Sequence, residues 1–317
     1  MTEWDAPHPR AQRTNLMALV DPTRRPRKRR SRGAPTRLFS LPALGLIALV
    51  YAVPLLWNVG MSFTNRTTFS SDTDFIGFEN YATLAGEEQF VNDLRITVTF
   101  AVLVVLIDNV LALGLALALA RPTLFNKIFR SVLFVPVLIS SLAAGYIFRA
   151  FLAPTGTFNS VLSAVTGSPV SMEWLADPGW AIFFAAFVQS WRFFAVHMLI
   201  YIAALNAIPH ELIQSSQIDG ASWMQTFRYI TWPFLAGAVT VNVVLTLTGG
   251  LQIFDVVVAL TGGGPGRATE LLNILVWQKF GQGDIGYSTT VSAIVVLLIS
   301  VLAFPVIALL RRREIQL

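Results

Sequence analysis

Apolar residues fall along this chain in long blocks that are interrupted by few or no charges. Blocks of about 20 residues match the hydrocarbon thickness of a bilayer. Six can be drawn, at roughly 38–63, 97–120, 132–151, 180–205, 230–254 and 287–310. Backbone groups in lipid must be satisfied within the segment, so the blocks are predicted to be helices and not strands. The fold class that follows is an all-α polytopic membrane protein with six transmembrane helices.

Composition agrees. The 317 residues are 54% hydrophobic and only 13% charged, with a mean hydropathy of +0.61. Soluble domains carry about twice that share of charge. Cysteine is absent, which excludes disulfides, thiolate metal sites and cysteine nucleophiles. His8, His197 and His210 are too scattered for a metal site.

Charge then orients the blocks. Ten Lys and Arg residues lie in the first 37 positions, a polar, proline-rich stretch expected to be a disordered tail. The apolar run after it is too long for a signal-peptide core, so residues 38–63 are read as an uncleaved first span. With the N-terminus inside, Arg121, Lys127, Arg130, Arg228 and Arg311–Arg313 are also inside, making seventeen of the 23 cations. Arg66, Arg95, Arg149, Arg267 and Lys279 are outside, and six acids crowd the first outer loop between Asp72 and Asp93. The positive-inside rule therefore predicts that both termini are cytoplasmic.

Within the blocks, Ala112, Ala116 and Ala120 have the small-xxx-small spacing that lets helices approach closely. Pro136 lacks a backbone donor and should kink the third span. Polar groups in lipid are candidates for function. Here they are Asp108, Gln189, Arg192, Asn242, Gln252 and Asp255. Asn242 reads as an interhelical hydrogen bond, Asp108 as a structural partner or a functional group, and His197 as a solitary packed histidine. Aromatic faces beside hydrogen-bonding groups suit a sugar ring. The stretches Trp191–Phe194 and Gly250–Phe254 offer both, and Arg192 could pair with an anionic group such as a phosphate.

The loop at 207–229 has a more specific pattern. Pro209 can open a short helix, Glu211 suits its first turn, and Gly220 can end it at positive φ. A second helix can start from Ala221. A helix-turn-helix of this kind on a cytoplasmic face reads as a docking surface. Glu211, Leu212, Ile218, Asp219, Gly220, Ala221, Phe227, Ile230, Thr231 and Pro233 match, position by position, the "EAA" loop of inner-membrane permeases in binding-protein-dependent ABC importers. The chain most resembles the carbohydrate branch that includes the maltose and glycerol-3-phosphate systems. Ile76–Tyr81 and Leu260–Pro265 with Thr269 resemble the same branch. The departure is at the naming triplet, where Gln214-Ser215-Ser216 replaces Glu-Ala-Ala.

The resemblance implies the type I importer permease fold over residues 38–317 and a bacterial inner-membrane location. It implies ATPase coupling through Glu211, Leu212, Gln214, Ser215, Ser216, Ile218, Asp219, Gly220 and Ala221, and a solute path along Trp191, Arg192, Phe194, Gln252 and Phe254. The implied partners are a second permease subunit, an ATPase dimer that binds ATP and Mg, an external solute-binding protein and membrane lipid. No nucleic acid, catalytic residue, metal or cofactor is expected in this chain, whose Gly262–Gly266 run lacks the Lys-Ser/Thr ending of a phosphate loop. An ion-coupled secondary transporter is the alternative. Disaccharide, oligosaccharide, polyol and glycerol-phosphate solutes all remain open.

Overall fold

The computed structural model describes residues 34–70 and 72–312. The basic tail, apart from 34–37, and Arg313 lie outside them. Residues 34–37 already belong to α1 (Ala34–Ile47), so helix begins before the expected boundary at 38. A π-helical turn at Ala48–Ala52 precedes α2 (Val53–Met61). The chain divides into two compact units, Met1–Pro54 and Leu55–Leu317; the sites described below lie wholly in the second.

That unit continues with α3 (Glu79–Gly86), α4 (Glu88–Leu119), α5 (Leu124–Leu133), α6 (Ser141–Phe151), α7 (Thr157–Thr166) and α8 (Pro178–Asn206). After these come α9 (His210–Ile218), α10 (Trp223–Thr226), α11 (Trp232–Phe234), α12 (Ala236–Gln252), α13 (Asp255–Leu260), α14 (Leu272–Gly281) and α15 (Ile285–Arg311). Among the described residues strand-like pairing is limited to isolated bridges, Thr64–Phe75 and Thr67–Asp284.

Ser40–Met61, α4, α8 and α15 are each long and apolar enough to cross a bilayer unaided. The third and fifth expected spans are not single rods. Leu124–Leu138 meets α6 at 98°, and Trp223–Phe234 meets α12 at 65°. Pro136 sits in the 3-10 turn Val135–Leu138 at the first break, as its missing donor led one to expect. At the second, a π-helical turn at Phe227–Thr231 leads to Pro233, and the direction changes at Leu235. Counting each bent pair as one span restores six.

α4 is the organising strut. Its 32 residues extend about 48 Å, well beyond the hydrocarbon core, and it packs along both α8 and α12. Ala112 and Ala116 are fully buried there against Ala195, Met198 and Tyr201 of α8. That is the close approach their spacing predicted. Gly145 does the same for α6 and α13, since a Cβ there would lie 2.5 Å from the Ala259 Cβ.

The segments flanking the spans are pinned by specific hydrogen bonds. Asn80 donates to the carbonyls of Ser62 (3.1 Å) and Thr64 (2.9 Å), while Phe63 packs on Phe78 and Tyr81. In the glycine-rich loop Thr269 donates to the Gly264 carbonyl at 2.7 Å and meets the Thr261 hydroxyl at 2.7 Å. These bonds account for the Asn-Tyr and Thr positions in the two shorter motifs.

Candidate functional site

Two places combine chemistry with accessibility. The first is the loop between α8 and α12. Ile208 is buried and anchors its start. Pro209 caps α9 from one position earlier than expected, and Glu211 lies in the first turn, where a negative charge suits the helix dipole. Gly220 adopts φ +73°, and the Ala221 N–H returns to the Ser216 carbonyl at 2.9 Å, which closes the helix. Ser222 and Gln225 then form a capping box that starts α10. The helix-turn-helix read from sequence is therefore present, with its second helix beginning at Trp223.

The departing triplet is built into this turn. Ser215 donates to the Glu211 carbonyl at 2.8 Å. Ser216 is buried, donates to the Ile213 carbonyl at 2.8 Å, and stands 3.2 Å from the Thr226 hydroxyl. An alanine at 216 could not make this link between the two short helices. Gln214 stays on the exposed side. Beyond it the loop shows apolar groups to the outside: Ile218 is 86% exposed, and Leu212, Trp223, Met224 and Tyr229 are exposed with it. Exposed apolar side chains of this kind mark contacts with another protein or with the membrane.

The second place is a cavity of about 290 Å3 between α4, α8 and α12. Its walls are Val104 and Asp108 of α4, Gln189, Phe193, Val196 and His197 of α8, and Leu245, Thr246, Gly249 and Gly250 of α12. Asp108 Oδ1 and His197 Nδ1 are 2.7 Å apart and buried. His197 is thus not solitary, contrary to the sequence reading. Its partner is 89 residues away on another helix, so no local spacing signals the pair. Asn242 donates to the His197 carbonyl at 3.1 Å, the interhelical bond expected of it. Tyr201 donates to Asn109, and Asn109 to Thr246, completing a polar seam behind the cavity.

None of the five side chains nominated for the solute path is among the cavity-lining residues. Trp191 packs edge-on to Phe148 with ring centroids 5.0 Å apart. Phe194 is buried in the α4–α8 core, Gln252 ends α12 on an exposed side, and Phe254 contacts Trp277. Arg192 turns inward. It donates through Nε and Nη2 to the Ile139 carbonyl (3.3 and 2.9 Å) and through Nη1 to Ser141 (2.7 Å). Its guanidinium is buried and bonded within the fold. Helix period explains the pattern. Positions 189, 193, 196 and 197 share one face, while 191, 192 and 194 point elsewhere.

Comparison with known proteins follows the same outline. Residues 109–315 match the family described as "Binding-protein-dependent transport system inner membrane component". The "Probable ABC transporter permease protein YurN" of Bacillus subtilis (strain 168) is 32% identical over 265 residues, which is 82% of this chain and 90% of the relative. The "Trehalose/maltose transport system permease protein MalF" of Thermococcus litoralis is 29% identical over 273 residues, 86% of this chain and 91% of the relative. Among solved structures, a bacterial ABC transporter for import of the acidic polysaccharide alginate superposes with a TM-score of 0.72 at 22% identity, covering 87% of this chain and 95% of that one. A complex of the alginate transporter with its pentasaccharide-bound periplasmic protein gives 0.71 at 22% identity, covering 87% and 92%. At that identity the likeness is one of fold.

Proposed function

Because this chain belongs to the family of binding-protein-dependent transport system inner membrane components, we propose that it is the permease subunit of an ATP-driven importer, forming half of the translocation path for a sugar or sugar-like solute. It is a multi-pass protein of the cell membrane. The ion-coupled alternative is set aside by the family match. The sugar class is supported by the relatives named for trehalose and maltose and for lactose transport.

The observation that carries the mechanism is the preformed turn from α9 to α10. Coupling needs a rigid element that transmits movement of an ATPase subunit into the spans. Capped helices joined at Gly220, with Ile218 and Leu212 exposed, fit that need. In this reading Glu211, Leu212, Gln214, Ser215, Ser216, Ile218, Asp219, Gly220 and Ala221 seat in the ATPase. The ATPase pair binds ATP and Mg and hydrolyses the nucleotide. A second permease subunit completes the path, and an external binding protein delivers the solute, in keeping with the periplasmic partner of the alginate transporter. Both termini lie in the cytoplasm, on the strength of the Lys and Arg bias.

The solute path runs through the cavity between α4, α8 and α12. Gln189, Phe193 and Thr246 supply an aromatic face and polar edges there. Trp191, Arg192 and Phe194 support this wall from behind.

The test is ATP-dependent solute uptake by the importer reconstituted with its binding protein. Asp219→Lys should abolish uptake while the membrane subunits still insert and pair. Uptake retained at the unsubstituted rate would overturn the coupling role of the loop.

A further inference from the structure

Resting on the reading of the α4–α8–α12 cavity as the solute path, we propose that this cavity admits neutral, hydroxyl-bearing solutes and excludes anionic ones, with Asp108, held by His197, as the residue that sets the charge class.

Asp108 and His197 are the only titratable side chains among the cavity-lining residues. Their 2.7 Å contact constrains the charge the wall can present. With one proton on the pair's facing atoms, either the carboxyl is neutral beside a neutral imidazole, or a carboxylate accepts from Nδ1–H. The net charge is then zero or minus one. Protonating both imidazole nitrogens beside the carboxylate again gives zero. The first two arrangements offer an anion no positive partner, and in the third the imidazolium charge is already matched by the carboxylate. The nearest cationic side chain in sequence, Arg192, lies against the Phe193 ring, 4.9 Å from its centroid, but donates three hydrogen bonds to Ile139 and Ser141 and is committed within the fold. Burying an anion without a counter-charge is costly, and a carboxylate in the wall makes it more so.

The cavity is also poised to accept hydrogen bonds. Gln189 is more than nine-tenths buried, and its Oε1 has no partner. When Asp108 is ionised beside a neutral His197 it accepts from Nδ1–H, and in that tautomer His197 Nε2 is a further acceptor. A buried acceptor without a partner is destabilising. A solute hydroxyl, which donates, would relieve it, whereas a phosphate or carboxylate oxygen cannot. Phe193 and Leu245 supply the apolar wall that a sugar ring face needs. The same arrangement disfavours glycerol phosphate and uronate polymers, two classes left open by the fold alone.

The purified assembly of both permease subunits with the ATPase pair, free of binding protein, separates the outcomes by calorimetric titration. The neutral probes are maltose, trehalose and lactose, and the anionic probes are digalacturonate and glycerol 3-phosphate. A neutral probe should bind at least about tenfold more tightly than either anionic one, as expected when an anion meets an acceptor wall. Asp108→Asn, which keeps the shape and can still bond His197, should shrink that gap to about threefold. Gln189→Leu should weaken the neutral probe without admitting the anions. Anionic probes that bind as well as neutral ones, or a gap unchanged in Asp108→Asn, would overturn the inference and leave the solute path standing. If no probe binds, the solute-path reading falls and takes this inference with it. The unsubstituted comparison requires no variant, so misassembly cannot hide the result.

Discussion

Gly220 shows how much one backbone angle can decide. At φ +73° it occupies the left-handed region, and a Cβ built there meets nothing within 4 Å. The constraint is therefore torsional and not steric. Gly220→Ala should cost about 1 kcal/mol of local stability, leaving an assembled importer with slowed transport. Gly220→Pro forces φ near −65° and cannot form the turn, so transport should be lost while the membrane subunits still pair. Limited proteolysis of the loop alongside uptake would check both, and a fully active proline variant would refute the assigned geometry. The turn was legible in sequence because Pro209, Glu211 and Gly220 are local signals read at fixed offsets, whereas the Ser222–Gln225 box appeared only in the structure. The cavity wall was not. Trp191, Arg192, Phe193 and Phe194 are neighbours in the chain, yet only Phe193 reaches the cavity, because successive helical residues turn by about 100°. Asp108 and His197 were each visible as polar intrusions, but their pairing depends on how α4 crosses α8.

At the scale of elements, the chain trades side-chain volume for close approach at a few crossings. Gly145 of α6 would place a Cβ 2.5 Å from Ala259 and 2.9 Å from the Val256 carbonyl of α13. The carbonyl belongs to the backbone and cannot rotate away. Gly145→Ala should therefore separate the two helices and cost about 1–3 kcal/mol, the usual penalty of overpacking. Gly114 of α4 has open space at the same probe position, and Gly114→Ala should be neutral. Thermal inactivation of the purified assembly compares the two directly, and equal midpoints would count against the packing argument. Hydropathy located these elements well but rendered them as straight rods. It cannot register a break such as the 65° bend at Leu235, because an average over a window carries no direction. Pro136 was the exception, since a missing backbone donor is written in the sequence itself.

For the whole molecule the question is which side of the membrane each end of the bundle faces. The proposed answer rests on the charge count, and the proposed docking turn agrees with it. Seventeen of 23 Lys and Arg residues fall on the side assigned to the cytoplasm, and the turn with exposed Ile218 and Trp223 lies between α8 and α12 on that same side of the count. The chain contains no cysteine, so a single introduced thiol is the only one its own band can report. Ser70 and Ser215 are both exposed and suit the purpose. In intact spheroplasts bearing the assembled importer, a membrane-impermeant maleimide should label Ser70→Cys and leave Ser215→Cys untouched. Inside-out vesicles should reverse the pattern, but only after the ATPase subunits are stripped, because the docked ATPase would cover residue 215. Labelling of both positions from one face would refute the topology. Labelling of residue 215 that ignores the ATPase would leave the topology intact and remove the docking surface. Sidedness and coupling, which rest on charge bias and on local geometry respectively, can thus fail separately.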